Sequence, residues 1–372
     1  MSETRKPYEL WLCSFPGAGN KKLRRLIELF GSAEEAYFAK PDSWRQVLGE
    51  KQAEGLKQFT EEFKPWAKYE KLQQKGIRLV TLLDPDYPKR LKEIPDAPYG
   101  LFVKGSLPGS EPAVAVIGAR DCSRYGAFVA EKLGEVLGRN GIAVVSGMAR
   151  GIDGISQLAA LEAGGMSYGV LGCGVDVCYP PQNRSLYESL PERGGLISSY
   201  PPGTPALSRN FPPRNRIVSG LADAVVVVEA REKSGTLITV DMALEQGREV
   251  YVVPGRITDR LSDGCNRLLR QGAEPLLNPE DLLGDLVAMW ERKGQPQCVL
   301  SDEVKEGAHT VLSPEAAAVY GMLEITPKTT EEIRDSLPEK CRNINLNACL
   351  IGLCMEKLAV QISPGRFCRA TR

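Results

Sequence analysis

Five arginines, Arg120, Arg150, Arg184, Arg214 and Arg216, fall in or beside polar turns built from small residues. The turns are Gly118-Ala119-Arg120, Ser146-Gly147-Met148-Ala149-Arg150, Gly172-Cys173-Gly174 running on to Asn183-Arg184, Arg214-Asn215-Arg216, and Ser234-Gly235-Thr236. A guanidinium is planar, permanently charged and shaped for bidentate contact with phosphate. Small residues let the backbone approach a ligand, and several such turns in series suit a chain of phosphates better than a single phosphate. Arg184 and Tyr187 stand at i and i+3, so on a helix they share a face. A cation beside an aromatic ring offers phosphate contact and sequence-tolerant base stacking to single-stranded nucleic acid. Asp153 repels phosphate and is read as a structural carboxylate, capping the helix after it or orienting Arg150 or Arg120. Ser123 is read as a helix cap.

These turns need a frame that places them side by side. Short apolar runs precede them: Val114 onward, Ala143 onward, Tyr168 onward and Ala224 onward, with Val250 to Gly255 as a fifth. Runs of four to eight apolar or β-branched residues ending in glycine read as buried parallel strands. Ligands of such sheets bind beyond the carboxyl ends of the strands, where backbone N–H groups and helix N-termini favour anions. The expected fold is α/β, an extended Rossmann-like parallel sheet over residues 65–290, with strands at Ile77–Leu83 and Gly100–Gly105 extending it. Residues 1–64 read as an all-helical domain, SAM-like or helix-hairpin-helix-like. In it a Pro16-Gly17-Ala18-Gly19 turn precedes the run Leu23–Phe30, a pattern shared by DNA-contacting hairpins and by ordinary turns of small bundles. Residues 291–311 read as a linker, polar and uneven over 294–307. Residues 312–372 read as three helices and a hairpin, the pattern of a winged helix.

The chain has 372 residues, with Lys plus Arg and Asp plus Glu both at 47. That balance excludes a strongly basic nucleic-acid binder but not a local basic pocket. From 113 to 280 there are 15 Arg and 2 Lys against 18 acidic residues, a net charge of −1 dominated on its basic side by arginine. No secretory signal and no apolar run of about 18 residues is seen, so a cytoplasmic protein without a membrane span is expected. Ten cysteines form no Cys-x-x-Cys pair and read as free thiols. His309 is the sole histidine, which leaves no Ser/His triad and no multi-histidine metal site to expect. Neither a Gly-x-x-x-x-Gly-Lys loop nor a Gly-x-Gly-x-x-Gly turn after the first strand is present, so no nucleotide cofactor is expected.

At these residues the chain resembles the DprA/Smf family of bacterial DNA-processing proteins. The matching segments are Val116–Arg120, Val145–Asp153, Val170–Asp176, Tyr179–Asn183, Tyr200–Thr204, Asn210–Gly220, Ser234–Thr236, Ala243–Arg248 and Pro254-Gly255. The resemblance implies a non-catalytic protein that binds single-stranded DNA, protects incoming strands during natural transformation and loads the RecA recombinase. It assigns phosphate contact to Arg120 and Arg184 and an aromatic contact to Tyr187. It also implies a homodimer formed through the Rossmann domain. The site expected on all these grounds comprises Gly118, Arg120, Ser123, Ser146, Gly147, Arg150, Gly172, Gly174, Asn183, Arg184, Tyr187, Arg214, Asn215, Arg216, Ser234, Gly235 and Thr236. Cys173 stands where the family often has threonine.

Two features open other readings. The presumptive recognition helix of the C-terminal domain, Asn343–Glu356, contains no Lys or Arg. DNA-docking helices carry cations for phosphate contact, so a protein-contact or weak auxiliary role is favoured there. The alternative function is a Rossmann-like nucleotide N-glycosidase, whose Pro-Gly-Gly-x-Gly-Thr motif is kept only as Gly235-Thr236, with Glu245 further along. A scaffold with a vestigial pocket is the third reading.

Overall fold

The computed structural model describes residues 2–292, 312–324, 326–338, 341, 344–356 and 358–370. The polar stretch 294–307, His309, Asn343 and Lys357 lie outside them. The chain divides into two compact units, Met1–Asp121 with Ala130–Leu300, and Cys122–Val129 with Ser301–Arg372.

The first unit is organised around a sheet of nine strands among the described residues. They are β1 (Arg78–Thr81), β2 (Gly100–Gly105), β3 (Ala113–Ile117), β4 (Ala143–Ser146), β5 (Ser167–Val170), β6 (Gly194–Ser198), β7 (Ala224–Val227), β8 (Glu249–Val252) and β9 (Glu274–Pro275). Their order is β1-β2-β6-β5-β4-β3-β7-β8-β9. The stretch from β6 to β9 is parallel throughout, while β1 and β2 add antiparallel at one end. Every residue of β3, β4, β5, β6 and β7 is buried. This explains their unbroken apolar character: helices cover both faces of a parallel sheet and leave no polar side. The expected strands at 77–83 and 100–105 therefore join the central sheet as anticipated.

β6 is absent from the strands read from sequence. It begins Gly194-Gly195, and both glycines are demanded by contact. A Cβ on Gly194 would meet the Ser167 carbonyl oxygen at 1.8 Å, and one on Gly195 would meet the Ser106 carbonyl oxygen at 2.1 Å. Glycine here records close neighbouring backbone rather than a turn.

Six helices precede the sheet: Ser2–Ser14, Asn20–Phe30, Ala33–Phe38, Pro41–Leu48, Glu50–Glu62 and Pro65–Gln74. Trp11, Trp44, Leu26 and Leu56 form their core and are essentially inaccessible. This layer is tied to the sheet region by charge. Arg5 and Lys6 both reach Asp84, and Lys21 pairs with Asp96 at 3.2 Å. The helix after the Pro16–Gly19 turn is engaged within the unit, where Asn20 accepts the Tyr99 N–H and Arg24 donates to the Ala97 carbonyl. Gln52 donates to the Gly17 carbonyl at 2.6 Å, so part of the turn's polar backbone already serves the bundle.

Over residues 312–370 of the second unit, the helices Pro314–Met322, Thr330–Ser336 and Leu346–Met355 pack, among the described residues, around Val319, Ile333, Leu350 and Phe367. Strands β10 (Lys328–Thr329), β11 (Ala359–Ser363) and β12 (Arg366–Arg369) form an antiparallel sheet in the order β10-β12-β11. The expected hairpin is β11 and β12; β10, at two residues, is too short to leave a period in the sequence. Thr329 and Glu332 form a reciprocal capping box on the second helix.

Candidate nucleic-acid interface

β3 is the strand at which the sheet changes direction of growth. The chain runs from β3 outward through β4, β5 and β6, then returns to place β7 on the other side of β3. A crevice opens beyond the carboxyl ends at such a point. Here it is a cavity of about 750 Å³ that continues into a smaller one of about 300 Å³. Arg120, Gly147, Ala149, Tyr179, Phe211 and Arg214 line both, so the two form one cleft.

The turn after β3 supplies Gly118, Ala119 and Arg120. Gly118 is packed against Ile152, which a Cβ would meet at 2.6 Å, so the backbone stays low and Arg120 projects over the opening. The turn after β4 supplies Gly147, Ala149 and Arg150, and Arg150 pairs with exposed Asp121 at 3.2 Å. Met148 in this turn has φ 54°, a left-handed value that a side chain adopts only when the surroundings impose it. The constraint is visible: Asn183 donates from Nδ2 to the Met148 and Ala149 carbonyls at 3.0 and 2.9 Å, and Gln157 accepts the Met148 N–H. Asn183 therefore holds the turn rather than lining the cleft.

Asp153 is buried and accepts the Gly147 N–H at 3.1 Å. Burial pushes its carboxyl above the ordinary carboxylate value, and the neighbouring Arg214 charge works against that rise. In place of the expected helix cap or a partnership with Arg150 or Arg120, Asp153 accepts the Gly147 N–H of the turn, and its cationic neighbour is Arg214. Arg150 is engaged by Asp121 instead.

Phe211 opens the helix Phe211–Leu221 and forms the centre of the cleft. Tyr179 stacks on it with ring centroids 5.7 Å apart and planes inclined by 28°. The Arg120 and Arg214 guanidinium carbons lie 5.5 and 5.7 Å from the Phe211 centroid. Gly172 makes room, since a Cβ there would meet the ring at 2.7 Å. Neither aromatic is among the site residues expected from sequence. Their signal is the pairing of each ring with proline in Tyr179-Pro180-Pro181 and Phe211-Pro212-Pro213, which fixes the chain direction around an aromatic side chain.

The far wall is the start of the helix Gly235–Glu245. Ser234 caps it by accepting the Thr236 N–H at 3.2 Å, and the Thr236 hydroxyl donates to the Gly118 carbonyl at 3.2 Å, tying this wall to the first turn. Arg231 and Lys233 also line it. The cleft therefore presents Arg120, Arg150, Arg214, Arg231 and Lys233 against Asp121 and Asp153.

Of the expected site residues, Gly118, Arg120, Gly147, Arg150, Gly172, Arg214, Asn215, Ser234, Gly235 and Thr236 come together in this cleft. Others have different work. Ser146 is buried and donates to the Val116 carbonyl. Gly174 is buried, and a Cβ on it would press on Gly203 and Pro201. Arg216 points to Asp96 at 3.3 Å and Glu245 at 3.7 Å. Ser123 caps the helix Arg124–Arg139, accepting the Gly126 N–H at 3.0 Å. Arg184 is exposed beside Glu188. Tyr187 departs from expectation: it is 8 % exposed, its hydroxyl donates to the Val175 carbonyl at 2.8 Å, and Lys104 lies over its ring. Spacing places Arg184 and Tyr187 near one another on the helix Arg184–Ser189, but the core takes the ring and solvent takes the cation. Glu245, the carboxylate to which the glycosidase reading points, pairs with Arg216 at 3.7 Å.

Comparison with known proteins meets this geometry from the other side. The family described as DNA recombination-mediator protein A matches residues 78–287, the span of the sheet and cleft. The chain belongs to that family. Among relatives, the protein Smf of Synechocystis is 36% identical over 315 residues, 82% of this chain and 79% of that protein. The DNA processing protein DprA of Streptococcus pneumoniae is 44% identical over 206 residues, 55% of this chain and 73% of that protein. A solved structure of the Streptococcus pneumoniae DNA processing protein A superposes with a TM-score of 0.67 at 35% identity, covering 75% of this chain and 97% of that one. A second, of DNA processing protein A from Helicobacter pylori, gives 0.51 at 29% identity over 57% of this chain and 97% of that one. That work concerns the mode in which the Helicobacter pylori protein binds single-stranded DNA. The cleft thus lies within the portion of the chain that defines the DNA recombination-mediator family.

Proposed function

We propose that this protein binds single-stranded DNA in the cleft beyond β3 and β7, protects the strand, and loads RecA recombinase on it, without catalysing a reaction of its own. The observation that carries the reading is the Tyr179–Phe211 stack with two guanidinium groups beside it. An aromatic shelf accepts any base, and adjoining cations track the phosphates; that combination serves sequence-tolerant single-strand binding. Single-strand binding by the Helicobacter pylori protein supports it. Gly118, Arg120, Gly147, Arg150, Gly172, Arg214, Asn215, Ser234, Gly235 and Thr236 are proposed as the contact surface, with Arg184 adding exposed charge. Ser123, Ser146, Gly174, Asn183 and Asp153 are proposed to hold the turns in shape.

The wider organisation follows the same reading. Residues 1–64 form a helical module, 65–290 the DNA-binding module, and 312–372 a winged helix used for protein contact. That last role is supported by the Leu346–Met355 helix, which carries no charged residue yet exposes Ile351 and Met355. Homodimer formation, a role in natural transformation and a cytoplasmic location are proposed from the family resemblance. No helix among the described residues is long and apolar enough to cross a membrane.

The test is fluorescence anisotropy of labelled oligo-dT and a matching duplex. Tighter binding of the single strand is expected. Equal affinity for both forms, or none for either, would sink the reading.

A further inference from the structure

Arg214 is an unusual residue to find below a DNA-binding cleft. It is 5 % exposed, and burial pulls its pKa down, assisted by the nearby Arg120 charge. Its Nε is buried without a hydrogen-bond partner. Asp153, the one carboxylate beside it, is occupied in accepting N–H groups of Gly147 and Ala149. The guanidinium lies against Gly147, where a Cβ would come within 1.6 Å of Nη1. A buried guanidinium left under-satisfied is costly, and this one lines both parts of the cleft. Its missing acceptor should therefore arrive with the ligand.

Depth limits what that acceptor can be. A phosphodiester carries a sugar on each of two ester oxygens and needs open space on both sides. A terminal phosphate monoester carries one substituent, enters end-on, and offers three oxygens and up to two negative charges. We propose that the inner end of the cleft takes a terminal phosphate monoester on Arg214, borne either by a free nucleoside monophosphate or by the end of a DNA strand. Its base would rest on the Tyr179–Phe211 shelf. The helix start at Ser234–Thr236 lies on the wall of the same cavity and favours the same charge. This inference rests on the single-strand reading above.

The experiment compares oligo-dT strands carrying a 5′-phosphate, a 3′-phosphate or neither, and competes each with dTMP and with thymidine. At least one phosphorylated end should bind roughly tenfold tighter than the unmodified strand, or dTMP should displace the strand where thymidine does not. An end effect alone identifies the strand terminus as the source, and dTMP displacement alone identifies the free nucleotide. R214Q should abolish the effect, whereas R120A should weaken all strands alike and keep it. If R214Q does not fold, by circular dichroism, the unmodified protein and R120A decide. Equal affinities for all three strands with no displacement by dTMP would overturn the inference while leaving single-strand binding standing. Loss of binding to every strand would instead overturn the reading on which it rests.

Discussion

At Arg120 the charge is exposed and the Phe211 ring beside it is stacked on Tyr179, so replacing it should alter binding and spare the fold. Arg120→Ala should weaken oligo-dT binding by roughly tenfold, the loss of one charge-assisted contact, and Arg184→Glu should weaken it as well. Anisotropy titrations paired with thermal melts check both; unchanged affinity in the two variants would remove these arginines from the interface. Tyr187 makes the opposite case. Tyr187→Phe strips the Val175 carbonyl of its 2.8 Å donor, at a cost of about 1 kcal/mol. The melting temperature should fall by a few degrees while DNA affinity holds. A loss of affinity at constant stability would return Tyr187 to the binding surface.

At the scale of elements, one carboxylate, Asp84, takes two cations of the first N-terminal helix. Burial alone would raise the pKa of Asp84, but the Lys6 hydrogen bond, the Thr81 N–H and the charges of Lys6 and Arg5 outweigh it and hold the group below its ordinary 3.8. A lowered carboxylate pKa contributes stability that is present above the unfolded value and lost as pH falls through the folded one. Asp84 should therefore stabilise the protein at neutral pH, begin to lose that contribution only as pH falls toward about 4, and lose it fully once pH passes below the folded value. In melts recorded from pH 7 down to 3, Asp84→Asn should start lower, and its gap to the parent should narrow toward the acid end. A constant gap across that range would show that the ion pairs do not couple this layer to the sheet. The turn elements are governed by contact instead. Met148 stays at positive φ because Asn183 and Gln157 grip its peptide groups, so Asn183 acts on the cleft through the Gly147–Gly151 backbone.

For the whole molecule, equal numbers of acidic and basic residues mean that attraction to DNA is local to the cleft. Single-strand binding lowers log K by about 0.7 per neutralised phosphate for each decade of salt. Five cleft cations against two carboxylates give a moderate slope, on the order of −2 to −3 by the same relation, rather than the steep slope of a basic protein. Titrations between low and moderate salt measure it, and a slope near zero would rule out phosphate contact as the source of affinity.

The strands β3, β4, β5, β7 and β8 were legible because burial on both faces demands unbroken apolar runs, and the turns after them because close backbone approach demands glycine. Those local constraints write themselves into sequence, as does the capping residue Ser123. β6 was illegible because its glycines answer to Ser167 and Ser106, residues distant in the chain. The same holds for the site. Sequence alone determined that arginine-bearing turns stand at the ends of parallel strands. Tertiary structure decided which arginines share a cleft, turning Arg216 toward Asp96, sinking Tyr187 into the core, and raising Phe211 and Tyr179 as its aromatic centre. The reason is physical: residue type and spacing fix what a side chain can do and which way it faces on its own element, whereas its neighbours are chosen by packing between elements that no local period records.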